Sequence, residues 1–485
     1  MQYQNDTPKE NETEEKKEVT IDISKDILDQ LKESSSDFLM ALPFKEPSES
    51  NSTKEKTKAN VIDHIKSFNQ TPKDIKSHLD RFVVNQDTAK KVLAIAICDH
   101  YNAIKAQLNS PDAPPSYGKQ NVLMIGPTGV GKTYMIKRIA ELIGVPFVKS
   151  DATKFTETGY QGGDVEDLVR QLYKKSDNNL DLAEFGIVYL DEVDKITAAQ
   201  SHHHKDVSGR GVQTNLLKIM EETDIVIRPP WDIQSQMKQM MSGKPSDENE
   251  TINTKNILFI MSGAFNGLPD VVKKRLQGAT IGFDRDGQSH SDADSEHFLS
   301  QLRTQDLVSY GLEPEFAGRL PVHVTLNHLS STDLHHILTS TEDSVLHHIE
   351  ASFSHYGIEI AFTDEALIQL SKRASEEAIG ARALVGTFEK VCRPFKFECP
   401  SIKVPFLLIT VEVLNDINGT LATIIKSPTK ATKTAINHYI DIEFKKANIE
   451  PFNTSELLNE CLDSGLVKTT IANHIALTTI AHANS

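Results

Sequence analysis

The sequence predicts an α/β fold: a large domain built on a parallel sheet, followed by a small, mainly helical second domain. Three observations carry this expectation. Short apolar runs alternate with helical patterns between residues 87 and 261, the arrangement of strands joined by crossover helices. One glycine-rich segment, GPTGVGKT (126–133), joins such a run to a helical pattern. Beyond residue 330 helical patterns dominate to near 395.

Residues 1–60 are rich in Lys, Glu, Asp and Ser and poor in aromatics. Such a tail cannot bury enough surface to offset its ordering entropy, and it is expected to be disordered. Within it, Ile23, Ile27, Leu28 and Leu31 recur at helical spacing, a segment able to dock elsewhere. The globular part is expected from about residue 61. Residues 87–108 form a long amphipathic pattern, and 111–120 read as a loop. The runs NVLMI (121–125), VPFV (145–148), GIVYL (186–190) and NILFIM (256–261) read as buried strands. The stretch 229–255 is polar and irregular and reads as a surface insertion. These patterns assign 61–325 to a large α/β domain and 326–400 to a small, mainly helical one. Residues 401–485 form a C-terminal extension of uncertain fold, in which FLLITVEVL (406–414) is the strand candidate.

Composition narrows the function classes. The 485 residues suffice for two to four domains. No apolar run approaches the ~18–20 residues that span a bilayer. The N-terminal stretch has neither the apolar core of a secretory signal nor the arginine-rich, acid-poor character of an organellar leader, so a cytoplasmic protein without a membrane partner is expected. The formal net charge of −16 disfavours non-specific nucleic-acid binding. The four cysteines, Cys98, Cys392, Cys399 and Cys461, form no CxxC pair. They read as small buried residues, and no zinc is expected.

The chemistry concentrates in two segments. Gly126, Pro127, Thr128, Gly129, Val130, Gly131, Lys132 and Thr133 fit G-x-x-x-x-G-K-[ST] between a strand and a helix, with Tyr134 adjoining. The glycines let backbone N–H groups face phosphates, and the helix N-terminus favours negative charge. Lys132 is expected to reach the β/γ-phosphates and Thr133 to ligate Mg²⁺. In GIVYLDEVDK (186–195), four apolar residues end in Asp191 and Glu192. Strand C-terminal ends are where ligands bind in open α/β sheets. Asp191 is expected to hold Mg²⁺, directly or through water, and Glu192 to polarise a water for attack on the γ-phosphate. Together they describe a nucleotide hydrolase without saying what work it performs.

From roughly residue 75 to 392 the chain resembles the ClpX family of AAA+ unfoldases. The resemblance rests on QDTAKKVLAIAICDHYN, GPTGVGKT, VPFVKSDATKFTETGYQGGDVEDLV, GIVYLDEVDKI, DVSGRGVQTNLLKIMEET, NILFIMSGAF, YGLEPEFAGRLPV and IGARAL, in that order. It implies a P-loop AAA+ three-layer parallel sheet domain with a small α-helical lid. It also implies a homohexameric ring with ATP sites between subunits, protein substrates, and a ClpP-type peptidase as partner. Arg319 matches the arginine finger that enters a neighbour's site. Arg382 matches the sensor-2 arginine, which contacts phosphate from the small domain. Ser262, following NILFIM, matches the sensor-1 position, with a plain strand-end hydroxyl as the alternative. Val84 falls in the segment flanking the adenine, although core packing accounts for it nearly as well. Tyr160 and Gln161, within GYQG (159–162), match the loop that lines the family's central channel. A flat ring on a glycine-flanked loop can grip any polypeptide without needing a sequence. Ile281, Gly282 and Phe283 match the peptidase-docking tripeptide, and exposed Ile and Phe in a polar loop suit a partner's pocket. Three consecutive histidines (202–204) fall on the second pore loop and point different ways on a helix, which argues against a metal site there.

The chain also departs from the family. The family's N-terminal four-cysteine zinc domain has no counterpart, and its Arg-Lys-His entrance loop is not recognisable in 229–255, where only Arg228 stands nearby. The reading is therefore an ATP-dependent unfoldase and translocase that threads proteins through a pore, feeding a peptidase. The alternative is a remodeller of protein complexes that works without one. A structural nucleotide-binding ring and a nucleic-acid motor are further readings. Charge and Tyr160 speak against the motor.

Overall fold

The computed structural model describes residues 63, 65–110, 118–156, 163–197, 207–227, 250–277, 292–342, 344–450 and 453–483. The charged tail and most of the 229–255 insertion lie outside these. Strands are labelled in chain order: β1 (Val122–Ile125), β2 (Phe147–Asp151), β3 (Ile187–Asp191), β4 (Asp224–Val226), β5 (Thr251–Asn253), β6 (Leu258–Gly263), β7 (Val322–Thr325), β8 (Glu359–Phe362) and β9 (Phe406–Ile409).

Five strands form a parallel sheet in the order β2-β3-β6-β1-β7. The central strands are buried on both faces, so their sequences are continuous apolar runs rather than alternating ones. Leu123, Val188, Leu190, Phe259 and Met261 enter one core. Val122, Met124, Ile187, Tyr189 and Ile260 enter the other, with Met135, Ile136 and Ile139 of the helix Lys132–Ile143 and Leu93 and Ile97 of the helix Asp87–Asn109. A sheet between two helical layers, each with its own apolar core, is the three-layer arrangement.

Strand edges differ from the sequence expectation in ways that move site residues. The third run carries Asp191 inside β3, paired with Asp151 of β2. The run expected at 256–261 becomes a 3₁₀ turn (Thr254–Asn256) followed by β6, so Ser262 lies within the strand rather than after it. Edge strand β7 was not expected, because VHVT carries His323 and Thr325 and is only half-buried. Residues 251–253 of the expected insertion pair antiparallel with β4.

The second region begins with the helices Ser331–Thr339 and Val345–Ser354. The first is opened by a capping box between Ser330 and Asp333. It is not purely helical, because β8 pairs in parallel with β9. Ile360, Phe362, Leu407 and Ile409 face a core shared with the helices Asp364–Glu376 and Arg382–Glu398. Ala361, Phe406 and Leu408 face the opposite way, onto Ile436, Ile440 and Phe444 of Pro428–Lys446, Leu457 of Thr454–Ser464, and Ile471 of Val467–Ala483. The core therefore runs across residue 400, and the extension whose fold the sequence left uncertain supplies one strand and a helical layer to the small domain. All four cysteines are buried and unpaired. Among the described residues no helix is long and apolar enough to cross a membrane.

Candidate nucleotide site

Strand β1 ends at Ile125, and the chain turns through six residues before the helix Lys132–Ile143. The turn needs left-handed backbone at Gly129 (φ 77°) and Gly131 (φ 98°), which glycine adopts without steric cost. The Gly126 N–H donates to the Gly263 carbonyl at 3.2 Å, which ties the loop to the end of β6. Lys132 Nζ donates to the carbonyls of Gly126 (2.6 Å) and Pro127 (2.8 Å). Burial pulls its pKa down, opposed by the charges of Asp191 and Asp194. A poorly solvated ammonium with two carbonyl partners is well placed to exchange them for anionic oxygens.

Opposite the loop, β3 delivers Asp191 and Glu192. Glu192 takes a left-handed backbone (φ 58°), costing roughly 1–2 kcal/mol in a residue with a Cβ. Backbone held in that region tends to cluster at functional sites. Ser262 Oγ donates to Asp191 Oδ1 at 2.5 Å and contacts Tyr189 Oη at 2.7 Å. Thr133 Oγ1 donates to the same Tyr189 Oη at 3.2 Å. Tyr189 is buried, and that burial pushes its phenol well above its ordinary range.

A cavity of about 510 Å³ opens between these elements, within the ~300–1,000 Å³ usual for small-molecule sites. Residues 128–134, Asp191, Glu192, Asp194 and Lys195 line its polar end. Phe82, Val83, Val84, Leu329, Ile337 and Val345 line its apolar end, and Arg382 and Val385 enter from the small domain. Gly126, Pro127, Ser262 and Arg319 do not line it. Ser262 is wholly buried and reaches the site only through Asp191 and Tyr189.

The small domain touches the phosphate loop directly. The Ala381 N–H donates to the Gly129 carbonyl at 2.9 Å. A Cβ on Gly129 would stand 2.1 Å from the Ile379 carbonyl oxygen, and one on Gly380 (φ 62°) would stand 2.8 Å from the Gly129 oxygen. The two glycine turns thus interlock at backbone distance. Beside the lining residues Phe82 and Thr341 in the chain, Arg81 makes a bidentate pair with Glu342 (2.6 and 2.8 Å), and the Gln86 side chain bonds both backbone groups of Asn327.

A triphosphate suits the polar end because Gly129 and Gly131, without a Cβ, let the backbone come close to it and Lys132 supplies a cation. A hard divalent cation also suits the donors present. Thr133 Oγ1 and Asp191 Oδ2 both face a cation already, the Lys149 ammonium, at 3.4 and 3.9 Å. Asp194, 1% exposed, adds a buried carboxylate oxygen, Oδ2, that has no hydrogen-bond partner, with Lys195 Nζ 3.6 Å away.

Comparison with known proteins decides the family. Residues 118–323 match the family described as AAA domain (Cdc48 subfamily). The chain is 39% identical over 335 residues to the "ATP-dependent Clp protease ATP-binding subunit ClpX" of Borrelia duttonii, covering 69% of this chain and 75% of that one. It is 37% identical over 340 residues to the "ATP-dependent Clp protease ATP-binding subunit ClpX 3" of Methylococcus capsulatus, covering 68% and 77%. The chain belongs to the ClpX family. It has the P-loop AAA+ architecture and is an ATPase.

Within this ClpX-family chain, Arg319 lies away from its own cavity and pairs with Glu221 at 2.6 Å, while its carbonyl accepts from Asn121 Nδ2. Tyr160, Gln161, Ile281, Gly282, Phe283, Arg228 and the histidines 202–204 lie outside the described residues. Sequence reasoning passed over Tyr189, Asp194, Lys149 and the Ile379–Gly380 turn. A hydroxyl inside an aliphatic strand was the available signal for Tyr189, since a buried tyrosine O–H usually finds a partner. A third acid in DEVDK was the signal for Asp194.

Proposed function

We propose that the chain is an ATP-driven protein unfoldase and translocase. It works as a homohexameric ring and passes substrate proteins through a central pore to a ClpP-type peptidase. The observation that carries this reading is the cleft in which the phosphate loop, the Asp191–Glu192 strand end and Arg382 of the small domain line one cavity. Lys132 and the loop N–H groups bind the β/γ-phosphates, and Val84 and its apolar neighbours hold the base. Thr133 and Asp191 would hold Mg²⁺, which would neutralise phosphate charge. Glu192 orients and deprotonates the attacking water. Ser262 fixes Asp191, and Arg382 senses phosphate from the small domain. Because that domain is joined to the phosphate loop through Ala381 and Gly129, phosphate contact and domain rotation are mechanically linked. Arg319 completes a neighbour's site, where such fingers supply roughly 10³-fold or more in rate.

The work is assigned to Tyr160 and Gln161 as the gripping loop and to Ile281, Gly282 and Phe283 as the peptidase anchor. The test uses a fluorescent protein substrate with the full chain. Tyr160→Ala is expected to hydrolyse ATP normally and fail to unfold the substrate; unchanged unfolding overturns the pore assignment. Deleting 281–283 is expected to abolish peptidase-coupled degradation and spare ATPase activity. If the intact chain unfolds proteins but never binds the peptidase, the remodeller reading replaces this one.

A further inference from the structure

Three hydroxyls and a carboxylate form an unbroken row through the sheet. Thr133 Oγ1 lies 3.2 Å from Tyr189 Oη, Tyr189 Oη lies 2.7 Å from Ser262 Oγ, and Ser262 Oγ lies 2.5 Å from Asp191 Oδ1. The row has a direction. Each hydroxyl carries one proton, and an ionised carboxylate can only accept. Ser262 therefore gives its proton to Asp191. Its oxygen then takes the proton of Tyr189, and the Tyr189 oxygen takes the proton of Thr133. No other orientation satisfies all three bonds.

The consequence falls on the two oxygens at the ends of the row. The Thr133 proton points back toward Tyr189, so a lone pair of Oγ1 faces away from it. Asp191 uses Oδ1 inside the row and leaves Oδ2 outside it. A second observation shows what these two oxygens attract. Lys149 Nζ, a cation on neighbouring strand β2, stands 3.4 Å from Thr133 Oγ1 and 3.9 Å from Asp191 Oδ2.

We propose that Tyr189 is a positioning residue for the divalent cation: its buried hydroxyl holds the Thr133 proton, so that Thr133 meets the metal with a lone pair rather than a hydrogen. The inference rests on the nucleotide-site reading and deepens it. It also gives Ser262 a purpose beyond orienting water, because Ser262 anchors the row to the carboxylate that binds the same metal. Outer partners of metal ligands typically carry 10–100-fold in metal affinity.

The test is Tyr189→Phe in the full chain, which removes one oxygen and keeps the ring. Three quantities are measured against the unaltered protein: affinity for a fluorescent ATP analogue in EDTA, thermal midpoint, and Mn²⁺ affinity in the presence of a non-hydrolysable ATP analogue, read from the paramagnetic resonance of free Mn²⁺. The expected result is metal-free nucleotide affinity within about twofold of the parent and Mn²⁺ affinity weakened roughly tenfold. Unchanged Mn²⁺ affinity overturns the proposal. Equal losses of metal-free nucleotide binding and Mn²⁺ binding overturn it too, since they mark Tyr189 as a packing residue. If the unaltered protein binds no Mn²⁺ with nucleotide, the nucleotide-site reading fails first, and the two failures are told apart.

Discussion

Replacing Gly380 by alanine should uncouple the small domain from the phosphate loop. At Gly380 the backbone is left-handed (φ 62°), and the new Cβ would stand 2.8 Å from the Gly129 oxygen and 2.9 Å from the Thr128 oxygen. The left-handed backbone alone costs roughly 1–2 kcal/mol for a residue with a Cβ. The atoms struck are backbone, so they cannot rotate away as a side chain would. The two turns must separate by several tenths of an ångström, which stretches the Ala381 to Gly129 hydrogen bond, worth about 0.5–1.5 kcal/mol net. The sum, about 1.5–3.5 kcal/mol against the closed arrangement, corresponds to a loss of roughly 10–400-fold in nucleotide affinity. Gly267→Ala is the control. Its backbone is also left-handed (φ 82°), but nothing lies within 4 Å of the added atom. The assay is binding of a fluorescent ATP analogue to each variant, with a thermal melt beside it. Gly380→Ala should lose affinity far more than Gly267→Ala at comparable melting temperatures. Equal nucleotide affinities in the two variants would refute the interlock.

Other substitutions isolate separate terms. Gly386 is exposed in the helix Arg382–Glu398, with open space around it, so Gly386→Ala should stabilise by roughly 0.5–1 kcal/mol and raise the calorimetric melting temperature. Arg319→Ala breaks only a half-exposed pair with Glu221, worth roughly 0–1 kcal/mol, so its melt should barely move while ATPase activity falls roughly 10³-fold. A melt lowered by several kcal/mol would instead mark Arg319 as structural. His100 is buried, and that burial, with the charge of Lys119, lowers its pKa to about 4 from 6.5. The folded state thus binds its proton less readily than the unfolded one. The contribution of His100 is present above pH 6.5 and lost as pH falls toward 4, to a limit of roughly 3 kcal/mol. His100→Gln, which keeps a donor for the Asn256 carbonyl, should flatten the urea-unfolding stability between those pH values; an unchanged slope would refute this assignment.

The phosphate loop and the acidic strand end were readable from sequence because their geometry is local. Glycine spacing sets the turn, and a short apolar run ending in two acids sets the strand. What escaped depends on residues far apart in the chain. Tyr189 gains its meaning from partners 56 and 73 positions away. The Ile379–Gly380 turn matters only because Gly129 reaches it. Strand β9 was suspected as a strand, but its parallel partner β8 could not be inferred from local pattern, and so the C-terminal helices seemed detached from the core they complete. Edge strand β7 was hidden by its half-exposed, mixed composition.

In the proposed ring each ATP site is finished by a neighbour's arginine, and subunit mixing tests this most directly. Arg319→Ala should keep an intact phosphate site and offer no finger. Glu192→Gln should offer a finger and fail to activate water. Each alone should be almost inactive as an ATPase. Co-assembled, they should recover a substantial fraction of activity, because intact sites then meet intact fingers. Co-assembled rings that remain as inactive as either variant alone would contradict the shared site.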